Sequence, residues 1–176
     1  MSDLQCAARL FIARHGEADL AASERSSAAG APLTVEGVRQ VRELAEQLRP
    51  VRISTVCSSP DPAASASAQA AAADLDVASR VVDGLQGLDP AEGEPAAVAR
   101  FQAAVEEIAD LHRGEDVLVF SHGDVMSLVI PMLSGNVRAD LADGHRLPPC
   151  VPVRVDVDAD GWRLDSWPAA DDAAPV

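Results

Sequence analysis

The sequence predicts an α/β domain, a three-layer αβα sandwich on a mainly parallel central sheet. Three observations carry this reading. Short apolar runs alternate along the chain with longer segments of helical character. The helical segments begin at capping or proline positions, and two of them stop at a proline or glycine, Pro50 and Gly114. Two of the strand-like runs also end in the same way, in a polar residue, a histidine and a glycine: "LFIARHGEAD" and "VLVFSHGDVM".

Residues 9–13 (RLFIA) form the first buried strand, and residues 17–32, small and polar, a loop. Thr34 caps a helix to about Arg49, with Val38, Val41, Leu44, Ala45 and Leu48 on one face and Pro50 as its stop. Residues 53–57 (ISTVC) are a second strand. The stretch "PDPAASASAQAAAAD" has the composition of a linker, but alanine is the best helix former and proline suits a helix start. It is read as a weakly amphipathic helix from Pro62 to Ala73. Residues 81–82 form a short strand, followed by the loop "DGLQGLDPAEGEP". Pro95 opens a helix striped by Val98, Phe101, Val105, Ile108 and Leu111 and ended by Gly114. Residues 117–120 are a strand, and Asp124 caps a helix to Leu133. Residues 151–157 and 162–166, joined by "DADG", read as a terminal hairpin. Residues 1–168 are one domain without internal repeats, and residues 169–176 a disordered tail.

Composition narrows the function. The chain has 176 residues, 48% of them hydrophobic but only 3% aromatic, so its core rests on Val, Leu, Ile and Ala. All 14 basic residues are arginine, and the formal net charge is −14. That excludes nucleic acid and anionic membrane as expected partners, because phosphate backbones need clustered basic residues. An anionic small substrate fits if a pocket gathers arginine locally. Three widely spaced cysteines without a CxxC pair suggest neither a disulfide framework nor a zinc site. No signal peptide or membrane span is legible, so a cytoplasmic location is expected. No metal and no cofactor are called for.

At the carboxyl edge of a parallel sheet, where ligands bind, the two matched endings place His15 and His122. Gly16 and Gly123 let backbone approach a ligand closely, and Arg14 stands beside His15. A neutral imidazole can attack phosphorus, while a second, with an arginine, neutralises the equatorial oxygens. Other candidates have simpler readings. His112 caps carbonyls at a helix end, His145 belongs to a loop, and "DVDADG" is a hairpin turn rather than a calcium loop.

"ARHGEA", then "PLTVEGVRQVRELAEQL", "VCSSP" and "GEDVLVFSHGDV" together resemble the histidine phosphatase superfamily, the phosphoglycerate mutase-like family. The resemblance covers residues 9–168. It implies a covalent phosphohistidine mechanism without metal, with His15 as nucleophile, Arg14 on the phosphoryl group and His122 on its oxygens. Two departures stand out. The family's second clamp arginine falls on Ala63, and residues 53–79 hold no basic residue; Arg80, Arg138 or Arg146 would have to reach in. The family's acidic proton donor falls on Asp83 if "VVDGLQG" is aligned on the glycine turn. It falls on Ser79, which cannot serve, if "GLQGL" is matched instead. The expected activity is a phosphatase acting on a phosphorylated small molecule or a phosphoprotein. The rival is a non-catalytic phosphate-binding module, which Ala63 favours and the intact Arg14, His15 and His122 disfavour.

Overall fold

The computed structural model describes residues 6–19, 31–142 and 146–168. In chain order the elements are β1 (Ala8–Arg14), α1 (Val35–Leu48), β2 (Thr55–Ser58), α2 (Pro62–Leu75), β3 (Ala78–Val81), α3 (Glu94–Leu111), β4 (Asp116–Ser121), α4 (Gly123–Leu133), β5 (Val153–Asp158) and β6 (Gly161–Ser166). The strands form one sheet in the order β3-β2-β4-β1-β5-β6. β1 to β4 run parallel; β5 and β6 extend the sheet antiparallel from β1. The expected mainly parallel three-layer architecture is present.

The alternation of side chains along β1 shows how the layers form. Leu10 and Ile12 join Phe101, Val105 and Ile108 of α3 and Met126 and Ile130 of α4 in one core. Phe11 and Ala13 face the other way, toward Val41 and Leu44 of α1 and Ala64, Ala68 and Ala71 of α2. Both faces of the central strands are therefore covered, which is why they read as continuously apolar. α2 is an ordered helix, with Ala63, Ala64, Ser67, Ala68, Ala71 and Ala72 buried. Its apolar face is made of alanine, so it contrasts weakly with its outer face but lets the helix lie close to sheet and neighbour.

The helix starts follow local chemistry. Thr34 caps α1, its hydroxyl accepting from the Gly37 amide at 2.9 Å. At α4 the expected cap is shifted: His122 is the cap position, and Asp124 lies inside the first turn. β3 occupies residues 78–81 rather than 81–82, because it is an exposed edge strand without the apolar signature of the others. Leu111, expected on the buried stripe of α3, is exposed at its end. His112 is the C-cap of α3, its backbone N–H donating to the Ile108 and Ala109 carbonyls at 3.1 and 3.3 Å, while its ring Nδ1 meets the Glu115 carboxylate at 2.8 Å. Among the described residues no helix is long and apolar enough to cross a membrane. The readings for His145 and for residues 169–176 lie outside the described residues.

Candidate active site

Parallel pairing brings the two matched strand endings together. Arg14 pairs with Ser121 across β1 and β4, and the next residue of each chain segment is a histidine. The rings of His15 and His122 lie edge to face, with centroids 5.1 Å apart. His15 Nδ1 is 2.8 Å from the Gly16 carbonyl, which can only accept. The proton therefore sits on Nδ1, and Nε2 keeps a free lone pair. Burial lowers the His15 pKa from its ordinary 6.5 and outweighs the Gly16 hydrogen bond; His122 and Arg14 lower it further, and Asp61 opposes them. The neutral form is thus favoured. Burial also lowers His122, against the pull of Asp61 and Asp124.

The two imidazoles face a cavity of about 440 Å³ that Arg14, Gly123, Asp124, Ser127, Arg146 and Leu147 complete. Arg14 donates a long hydrogen bond to the Leu147 carbonyl (3.4 Å). Gly123 gives it room, since a Cβ there would stand 3.3 Å from Arg14 Cδ. Cys150 donates its amide to the Arg14 carbonyl at 2.9 Å, and burial pushes its thiol up to about 12, which keeps it in the unreactive thiol form.

The remaining candidates fall differently. Gly16 does not line the cavity. Its amide donates to Ser67 Oγ at 3.0 Å, and Ser67 donates to the Ala63 carbonyl at 2.8 Å. Its lack of a side chain serves a close crossing with α1, where a Cβ would stand 2.6 Å from the Gly37 carbonyl oxygen. Asp83 is exposed on the turn after β3 and is not part of the cavity wall. The chain beyond it folds back instead: Leu85 O accepts from Ser121 Oγ at 2.7 Å, and Leu88 N donates to Asp124 at 3.1 Å. Arg100 pins that loop by donating to the carbonyls of Gly84, Gln86 and Gly87. Ala63 is buried in the first turn of α2. Of the arginines that could replace it, Arg80 pairs with Glu107 and Arg138 with Asp140, whereas Arg146 lines the cavity. Sequence reasoning missed Ser59 and Asp61, which meet His122, although both lie within or beside "VCSSP".

Two imidazoles and two guanidinium groups around one cavity at a parallel sheet's carboxyl edge suit a tetrahedral anion. The chain belongs to the histidine phosphatase superfamily (branch 1), whose family model matches residues 10–94 and 87–170. No curated protein sequence matches. Among solved structures, Bacillus stearothermophilus YhfR superposes with a TM-score of 0.73 at 20% identity, covering 89% of this chain and 95% of that one. The protein histidine phosphatase SixA complexed with tungstate gives 0.64 at 22%, covering 90% and 94%. The mycobacterial glucosyl-3-phosphoglycerate phosphatase complexed with VO3 gives 0.71 at 19%, covering 92% and 99%. At such identities the likeness establishes the fold.

Proposed function

We propose that the protein is a phosphatase that hydrolyses a phosphomonoester or a phosphohistidine through a phosphohistidine on His15. The observation that carries this is the His15 ring: Nδ1 is tied to the Gly16 carbonyl, and the second imidazole stands 5.1 Å away. His15 Nε2 attacks phosphorus, the N–P bond forms, and the bond to the leaving group breaks. Water then attacks phosphorus, the N–P bond breaks and phosphate leaves. Arg14, Arg146 and His122 offset the charge on the phosphoryl oxygens. Family membership and the phosphatases among the structural neighbours support the reading. His15→Ala should lower hydrolysis of a generic aryl phosphate by at least roughly 10³-fold, as loss of a nucleophile does elsewhere. The wild type, quenched without acid, should carry phosphate on His15. Undiminished activity in the mutant would remove His15 as the nucleophile.

Ala63 favours a second reading, a phosphate-binding module without catalysis. It predicts that vanadate binds but no phosphohistidine forms.

A further inference from the structure

We infer that Asp61 is the proton donor to the leaving group, a role for which the aligned residue Asp83 is badly placed; this rests on the phosphatase reading above. Asp61 Oδ2 is 2.7 Å from His122 Nε2. Ser59 ties the two together: its hydroxyl donates to Asp61 Oδ2 at 3.0 Å and lies 3.1 Å from His122 Nε2, while the Asp61 amide donates back to Ser59 Oγ at 3.2 Å. Asp61 is the cap residue of α2, a place where an aspartate ordinarily accepts from its own helix. Here the side chain makes no cap bond. The carboxylate has turned from the helix to the imidazole.

The other nearby carboxylates are committed. Both Asp124 oxygens accept backbone N–H groups, from Val125 at 2.7 Å and Leu88 at 3.1 Å. Glu17 Oε1 accepts the Thr34 hydroxyl at 2.9 Å. Asp61 Oδ1 has no hydrogen-bond partner among the described residues, and the side chain is 45% exposed. It is not itself a lining residue of the cavity, but unlike Asp83 it touches one that is, His122, which brings it within reach of a leaving oxygen beside that ring.

The proton has a source in the substrate itself. The groups acting on this corner are Arg14 and His15 from the end of β1, His122 and Asp124 from the end of β4 and the start of α4, and Arg100 from α3. A phosphomonoester that enters as its monoanion carries one acidic proton, and the Asp61 carboxylate beside His122 stands where it can take it. Binding therefore loads the proton that the leaving oxygen needs. As the P–O bond breaks, the Asp61 O–H proton passes to the departing alkoxide, and Asp61 is left as carboxylate. In the second step that carboxylate takes a proton from the attacking water as the N–P bond breaks, which restores the acid.

The test is leaving-group dependence in Asp61→Asn, which keeps an oxygen for His122 but carries no transferable proton. With an alkyl phosphomonoester, kcat/KM should fall roughly 10²–10³-fold, within the range for general acid catalysis. With p-nitrophenyl phosphate, whose leaving group departs unprotonated, the pre-steady-state burst should change less than about threefold. The alkaline limb of the alkyl-substrate pH profile should vanish, and Asp61→Glu should restore much of the rate. Equal losses on both substrates, or none, with His15→Ala still inactive, would overturn the donor role and leave the phosphatase standing. Wild-type inactivity on both substrates, with no phosphate on His15, would overturn the phosphatase reading and the donor role together.

Discussion

Arg14 stands directly opposite Ser121 in the parallel register of β1 and β4, and the next amide, that of His15, donates to the Ser121 carbonyl at 3.0 Å. Adjacent parallel strands that stop in register release their next residues side by side. That is how two distant, matching stretches of sequence place His15 and His122 in ring contact.

The first prediction concerns pH. Burial, the largest influence on each, lowers His15 and His122 below the ordinary 6.5. The unfolded chain then binds more protons than the folded one just below that value, so stability rises with pH across the window. The contribution is complete above about 6.5 and is lost as pH falls below it toward the folded values. The urea midpoint should therefore be lower at pH 5 than at pH 7.5, and by a smaller margin in His15→Ala. The proposed mechanism needs neutral His15 for attack, so kcat/KM should show an acid limb with its midpoint below 6.5. A midpoint above 6.5 would mean that the neighbouring carboxylates hold the nucleophile charged.

A second prediction tests the crossing that carries His15. A Cβ on Gly37 would lie 2.1 Å from the Glu17 carbonyl oxygen and 2.9 Å from its nitrogen. Glu17 N also donates to Gln40 at 2.9 Å, and Glu17 O accepts from Thr34 N at 2.9 Å, so the loop cannot retreat without breaking both bonds. Gly37→Ala should cost about 1–3 kcal/mol, the usual range for overpacking. It should also lower activity beyond what that loss explains, because Gly16 moves with the loop. Denaturant midpoints and kcat on the same preparation separate the two effects. An alanine variant of wild-type stability would mean that the two segments cross more loosely.

Much of this was legible in the sequence, for identifiable reasons. Strands covered on both faces read as apolar runs, and the repeated polar residue, histidine and glycine marked both ends of the site. Thr34, Gly16 and Gly37 could be read as a cap and glycines, but their interlocking could not, because it joins residues far apart in the chain. Asp61 was hidden for a related reason. In sequence it reads as a turn residue between two prolines, and only the packing of β2 beside β4 sets it against His122. Asp83 shows the converse: alignment gives it a role by position, but the turn leaves it exposed while Leu85 and Leu88 bond to Ser121 and Asp124.

The last prediction asks whether Arg146 replaces the missing clamp. Arg14 and Arg146 both line the cavity, while Ala63 is buried one helical turn before Ser67, the residue that holds the Gly16 amide. A charge-assisted hydrogen bond contributes about 1.5–3 kcal/mol, which corresponds to a weakening of roughly ten- to hundredfold when it is lost. Arg146→Ala should therefore raise the vanadate inhibition constant by at least about tenfold. Ala63→Arg places a forked donor at the start of α2, where arginine is a good helix former. Alone it should tighten vanadate binding and raise kcat/KM by roughly one order of magnitude, less than the full effect of a transition-state donor because the surrounding residues are not shaped for it. On the Arg146→Ala background its gain should be larger, since it then supplies the only second guanidinium, and the two substitutions should be non-additive. Vanadate inhibition of the four proteins, each checked for folding by its thermal midpoint, closes the cycle. Equal gains on both backgrounds would mean that Arg146 acts independently of the phosphoryl clamp. No loss on removing Arg146 would mean that Arg14, His122 and the backbone amides hold the anion without it.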